Sequence, residues 1–435
     1  MVNRLINGSE AAPVEIFVNG LFVPVHDGAE PYRGYLIAAD GVVVDTGAGT
    51  PDIPAQATVV DLAGKLVVPG FVSAHSHLWQ SVFRGIADGC STYGWIAQLH
   101  QRFGARFTEA DMYAFTMHGG RDLLRHGITT VCNHTHNFGS GAEGQWRAAL
   151  DLPMRTVYAH SPTHSATAAE RLAGIEWFQE TTATVDDQRI LARSYNTTWP
   201  MSAPEMRKES ALLAEYGIGQ HLHYLEDPTV IERQRAEFPL LLDTGRVTSD
   251  TVFAHFIHTT PEIVAEAGKR GAAMVWNPLS NGRLGSGIPD IAAYQAAGVR
   301  VGLGVDGQAS ADVADPFQNM RTGLYLLRGL AKNAGVLSSR DILRMHTLGS
   351  AEALGVASRV GSLEPGKFAD FVVLDPDRPS TGPLADDVYA HTVLALSAAN
   401  VVDVRVGGHS VSTGLFDTPD TGDAHERVAR LRAAL

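Results

Sequence analysis

Only two cysteines, Cys90 and Cys132, occur in 435 residues, so no disulfide framework holds this chain together. Neither has a cationic neighbour in sequence that would mark an activated thiol, and both read as structural. Long apolar runs are missing as well. No stretch of ~18 consecutive apolar residues is present, which counts against a membrane span, and the opening MVNRLINGSEAAPVEIF lacks the apolar segment of a secretory leader. Positive charge is scarce: 34 Lys and Arg against 47 Asp and Glu give a formal net charge of -13. No basic cluster interrupts that balance, which excludes an electrostatic nucleic-acid binder. Internal repeats and low-complexity tracts are absent too. The expectation is an unsecreted, cytoplasmic protein with a small-molecule partner, no nucleic acid and no membrane.

What is present is an ordinary globular composition, 45% hydrophobic and 19% charged, on a chain long enough for one large core and a smaller one. The first 68 residues show short β-type runs broken by Gly, Pro and Asp: EIFVNG, GYLIAADGVVVDTG and ATVVDLAGKLVV. The ADG before VVVDTG is a hairpin signal. Similar runs, FADFVVLD and VVDVRVGGHSVSTG, return near the C-terminus, so both ends are expected to meet in one small β-domain. The last segment, DAHERVARLRAAL, reads as a helix with Val428, Leu431 and Leu435 on one stripe.

Between the ends, eight short apolar segments alternate with helical stretches, the pattern of a parallel α/β domain. The expected strands are 71–77, 128–136, 155–160, 189–196, 217–224, 251–258, 272–278 and 299–306. Helices are expected at 108–126, opened by Thr108 and Asp111 in capping-box spacing, and at 260–270, opened by Thr260 and Pro261. Eight such units fit a closed (β/α)8 TIM barrel better than an open sheet. The expected division is a composite β-sandwich domain from 1–68 and 361–435 around a barrel domain at 69–360.

Active sites of such barrels lie at the C-terminal ends of the strands. Here those ends carry His75 and His77, His134 and His136, His160, Asn196, His221 and His223, His255 and His258, Asn277 and Asp306. So many imidazoles at one end of the strand pattern point to a divalent metal site. His75 and His77 alternate on one strand and offer two donors. Strand five offers a third imidazole, and Asp306 follows the apolar VGLGV as a carboxylate able to bind an ion or take a proton from water. Such an ion lowers the pKa of its water towards ~7 and makes hydroxide available. Glu226, three residues past His223, is placed to serve as an acid, and His221 reads as a core or supporting histidine. Taken singly each has a plainer reading: His-x-His is common, Asp306 before Gly307 suits a turn, and Glu226 before Asp-Pro suits a helix start. Their joint placement decides for a site.

These residues resemble the amidohydrolase superfamily, in its cytosine-deaminase-like and triazine-hydrolase-like branch. LVVPGFVSAHSH, HYLE, VFAH, NPLSNGRLGSGIPDI and GLGVDGQASAD are similar to its strand-one, five, six, seven and eight signatures. GSLEPGKFADFVVLD is similar to its return into the terminal β-domain. The resemblance implies a mononuclear site with His75, His77, His223 and Asp306 as ligands, and Glu226 and His255 with Asp306 in proton transfer. RILARSYNTTWP carries neither the bridging Lys nor the Glu of binuclear relatives, so one ion is expected, zinc before iron. NTTW also stands where many nucleoside deaminases of the branch have an HAPY-type segment, which argues against a nucleoside.

The implied reaction is hydrolytic deamination of a cyclic amidine in a compact heterocycle: a purine base, pterin, pyrimidine or s-triazine. The alternatives are loss of chloride or an alkylamine on the same scaffold and, more remotely, a non-catalytic barrel. Trp79 is expected to stack on a planar ring and Gln80 to pair with a ring amide edge. His134, His136, His160, Asn196, Trp199 and Asn277 complete the candidate pocket walls. The resemblance also implies a homo-oligomer.

Overall fold

The computed structural model describes residues 14–185, 188–412 and 422–434. Five N-terminal strands, β1 (Val14–Phe22), β2 (Tyr32–Ala39), β3 (Val42–Ala48), β4 (Thr58–Asp61) and β5 (Leu66–Pro69), open the chain. Between β2 and β3, Asp40 and Gly41 both have positive φ, 51° and 75°, the two-residue hairpin geometry that the ADG signal announces. The chain then crosses at Gly70 into a second sheet.

That sheet is the barrel. Its strands are β6 (Phe71–Ser76), β7 (Ile128–His134), β8 (Arg155–His160), β9 (Ile190–Asn196), β10 (Gly219–Tyr224), β11 (Thr251–His255), β12 (Ala273–Trp276) and β13 (Arg300–Leu303). All eight expected strands are present, paired in parallel and in sequence order. No ladder joins β13 to β6 among the described residues, so the circle is nearly closed. The gap is bridged by residues of the site itself. Asp306 N–H donates to the His75 carbonyl at 3.1 Å, and the Ser76 hydroxyl donates to the Asp306 carbonyl at 2.8 Å.

The C-terminal strands β14 (Phe371–Leu374), β15 (Val401–Val406) and β16 (His409–Ser410) return to the first sheet, where β14 pairs antiparallel with both β5 and β15. Both ends of the chain therefore share one sheet, around a core that includes Phe17, Phe22, Leu36, Val67 and Phe371. Phe17 meets Phe371 edge to face at 4.9 Å, tying the two ends directly.

The helix Glu109–Arg125 starts at the expected capping box, with Thr108 Oγ1 accepting from Asp111 N–H and Asp111 returning the bond to Thr108 N–H. Its Gly119 lies against the Leu78 carbonyl, where a Cβ would sit 2.1 Å away, so the turn after His77 is pressed onto this helix. Thr260 likewise caps Pro261–Lys269.

The helix Gly422–Ala433 buries Val428 and Leu431 as expected, while Leu435 is outside the described residues. It does not lie on the terminal sheet. Arg427 and Arg430 pair with Asp111, and its apolar face joins Trp79, Phe83, Phe107 and Phe115 beside the barrel mouth. No helix among the described residues is long and apolar enough to cross a membrane.

Candidate metal centre and active site

His75 is the penultimate residue of β6 and His77 the cap residue before the 3-10 turn Leu78–Val82, and both rings converge on Asp306. His75 Nε2 and His77 Nε2 each lie 3.5 Å from Asp306 Oδ1. His223, near the end of β10, brings its Nε2 to 3.3 Å from that of His77. Side-chain donors of three sets lie within 4.8 Å of one another: His75, His77 and Asp306; His75, His223 and His255; and His77, His134 and His223.

The supporting hydrogen bonds prepare these rings for a cation. His77 Nδ1–H donates to the His134 carbonyl at 2.7 Å, which leaves the Nε2 lone pair at the centre. His75 Nδ1 meets His221 Nε2 at 3.0 Å, and His221 Nδ1 meets Cys132 Sγ at 3.5 Å. His221 is thus the supporting histidine that the sequence suggests. His75 Nε2 is buried with no hydrogen-bond partner among the described residues. Two facing imidazole lone pairs and a carboxylate without a cation are a poor arrangement, and a divalent ion resolves it. Burial pushes His75 down to about 3 and lowers His77 and His223 as well, so the rings are in the neutral form that metal ligation requires.

Asp306 Oδ2 accepts from the hydroxyls of Ser280 at 2.5 Å and Ser310 at 3.0 Å, which turns Oδ1 towards the histidines. Burial alone would raise this carboxyl, but the adjacent His75, with His255 and His77, holds it well below the usual carboxylate range. Its backbone is in the left-handed region at φ 56°, as are Leu225, His255 and Phe256 at φ 53°, 69° and 50°. Such conformations cost about 1–3 kcal/mol each and persist where the surroundings fix them.

Glu226 follows β10, buried, with Oε1 3.6 Å from His255 Nδ1 and within 3.4 and 3.5 Å of the Thr92 and Ser286 hydroxyls. Burial, with the nearby charges of Asp306 and Asp227, pushes its carboxyl up to about 8. It is therefore a protonated acid at neutral pH. His255 Nδ1 accepts from Asn281 Nδ2 at 2.8 Å and faces Asn277 Nδ2 at 3.3 Å. Its proton consequently sits on Nε2.

The structure sorts the expected wall residues. A cavity of about 290 Å³ opens over this centre, and His136, Asn196 and Trp199 line it beside His77, His223, Glu226, His255 and Asp306. Trp79 and Gln80 do not. The 3-10 turn breaks the strand alternation at His77 and swings Trp79 into a fully buried aromatic pile with Phe83, Phe107 and Phe138, so it cannot stack on a ligand. Gln80 is buried against Gly307, where a Cβ would fall 1.8 Å from Gln80 Oε1.

His134 lies beneath His77 and His223, off the cavity, with neither ring nitrogen partnered among the described residues. His160 faces outward from β8 and stacks on Phe178. Asn277 acts behind His255 rather than on the cavity wall. Sequence reasoning missed His100 and Thr92 on the wall, and Ser280, Ser310 and Asn281 behind the catalytic groups. Asn281 and Ser280 lie within the NPLSNGRLGSG segment already singled out, but spacing alone does not mark them.

Residues 66–411 match the sequence profile described as the Amidohydrolase family, and the chain belongs to that family. A 5-methylthioadenosine/S-adenosylhomocysteine deaminase from Desulforudis audaxviator is 29% identical over 408 residues, 91% of this chain and 93% of the relative. An adenosine deaminase from Xanthomonas campestris, solved with bound zinc, superposes with a TM-score of 0.85 at 25% identity, covering 96% of this chain and 98% of its own. The atrazine chlorohydrolase of Arthrobacter aurescens TC1, solved with zinc, shares the fold with a TM-score of 0.81 at 21% identity over 91% and 95% of the two chains. Family, donor set and relatives define a hydrolase of the deaminase type.

Proposed function

We propose that the chain deaminates an aminopurine, free or as a nucleoside, with one zinc ion held by His75, His77, His223 and Asp306. The observation that carries this reading is Glu226: a buried carboxyl, its pKa raised by burial, opening on the same cavity as the imidazole and carboxylate donors. A divalent ion in that donor set supplies acidity to the attacking water. Asp306 takes the proton of that water, and His255 Nε2–H donates to its oxygen as it adds to the amino-bearing carbon. Glu226 delivers its proton to the adjacent ring nitrogen. On collapse Asp306 passes its proton to the amino group, the C–N bond breaks, and the hydroxyl proton returns to Glu226. Ammonia and a ring carbonyl result.

The Asn-Thr-Thr-Trp segment at 196–199 argued against a nucleoside, whereas the relatives named as nucleoside deaminases over nearly the whole chain weigh the other way. The test is a panel of aminopurines, their nucleosides, pterins, pyrimidines and triazines, followed for ammonia, alkylamine and chloride together. Ammonia from an aminopurine supports the proposal. Release of chloride or alkylamine from triazines, with no ammonia from purines, overturns it.

A further inference from the structure

Trp79 turns away from the cavity, yet its indole N–H reaches His136 Nδ1 at 3.1 Å. An indole nitrogen can only donate, so His136 Nδ1 must accept. The same bond excludes the imidazolium, in which both nitrogens carry protons. The His136 proton is therefore on Nε2. The ring also stacks on Phe138 at 5.9 Å and 14°, and the His136 backbone is fixed by Gln145, whose Nε2 donates to the His136 carbonyl at 2.7 Å and whose Oε1 accepts from the His136 N–H at 3.4 Å. His136 lines the cavity beside His77, and with Nδ1 occupied the polar edge left for a ligand is Nε2–H.

We infer that Trp79 is a positioning residue that locks His136 in its Nε2–H tautomer, making this wall of the cavity a fixed hydrogen-bond donor that selects substrates with an acceptor opposite it. The acceptor is an unprotonated ring nitrogen or an oxo group on the edge away from the reacting amidine. A fixed donor facing a C–H or N–H is left buried and unpaired, and that loss discriminates strongly between otherwise similar rings. This substrate rule rests on the deaminase reading, whereas the tautomer does not.

Two measurements keep these apart. In protein labelled with 15N-histidine, long-range 15N–1H correlation distinguishes a protonated from an unprotonated ring nitrogen, and His136→Gln assigns the signal. The inference expects the Nε2–H pattern in wild type and its loss to mixed tautomers in Trp79→Phe, which keeps an aromatic ring in the pile. An Nδ1–H pattern in wild type, or an unchanged pattern in Trp79→Phe, overturns it.

The second measurement compares the aminopurine substrate with its deaza analogues, in which one ring nitrogen becomes C–H. One analogue away from the reacting centre is expected to lose about 10-fold or more in kcat/KM on wild type, and that penalty shrinks in Trp79→Phe and His136→Phe. Equal penalties in all three proteins overturn the donor role. If no member of the panel yields ammonia, the deaminase reading fails, and the spectra still decide the tautomer.

Discussion

Asn281 donates its side-chain N–H to His255 Nδ1 at 2.8 Å, and the sense of that bond is fixed because Asn281 Oδ1 accepts the Asn277 backbone N–H at 3.3 Å. His255 is thereby a donor towards the cavity through Nε2, whereas His77, whose Nδ1–H is held by a carbonyl, offers a lone pair there. Two histidines of one cluster are assigned opposite roles by their outer hydrogen bonds.

Asn281→Asp reverses the outer bond, since a carboxylate requires the His255 proton on Nδ1. The variant is expected to lose about 100-fold in kcat/KM, the scale of a misplaced proton donor, while keeping its metal. Steady-state kinetics alongside metal analysis checks this. Full activity in Asn281→Asp contradicts the donor role of His255.

Glu226→Gln removes the acid but keeps its shape. A fall in kcat of about 10²–10⁴-fold is expected, with bound metal unchanged. The same substitution reads out in stability. Glu226 is pushed up to about 8 in the folded chain, against about 4.3 unfolded. Its contribution is therefore complete below the unfolded value and is lost as pH rises through 8. Denaturation midpoints of metal-stripped protein are expected to fall between pH 5 and 9 for wild type, and to fall less for Glu226→Gln.

Glu209, fully buried, pairs with Arg171 and Arg246, and Arg246 Nη1 donates to the carbonyls of Thr197 and Trp199 at 2.9 and 3.2 Å. The cluster thus anchors the loop that carries Asn196, Thr198 and Trp199 into the cavity wall. Arg246→Ala leaves Glu209 short of a partner and is expected to destabilise the fold by about 3–5 kcal/mol. KM should rise more than kcat falls, because the loop lines the cavity wall and carries none of the metal donors or proton-transfer groups. Chemical denaturation and substrate titration at a permissive temperature measure both.

Much of the barrel was legible because its strands are short apolar runs between helix signals, and because histidines at strand ends have few other uses in such number. Alternation places His160 on the side of β8 that carries Tyr158, facing the helices and not the centre. The fate of Trp79 was not legible: a single 3-10 turn after His77 ends the two-residue period and reverses which way the ring points. Nor do Ser280, Ser310 and Asn281 announce themselves, since their importance lies in which oxygen or nitrogen they face, 26 residues away for Ser280 and Asn281 and across one tight turn for Ser310.

The central claim is that deamination depends on a single ion held at the mouth of the barrel. Metal-stripped protein titrated with zinc, with ammonia release measured at each step, tests it most directly. Activity is expected to be absent at the start, to rise in proportion to bound zinc, and to saturate at one ion per chain, with His77→Ala failing to respond. Undiminished ammonia release from the stripped protein, or saturation only at two ions per chain, would contradict the account.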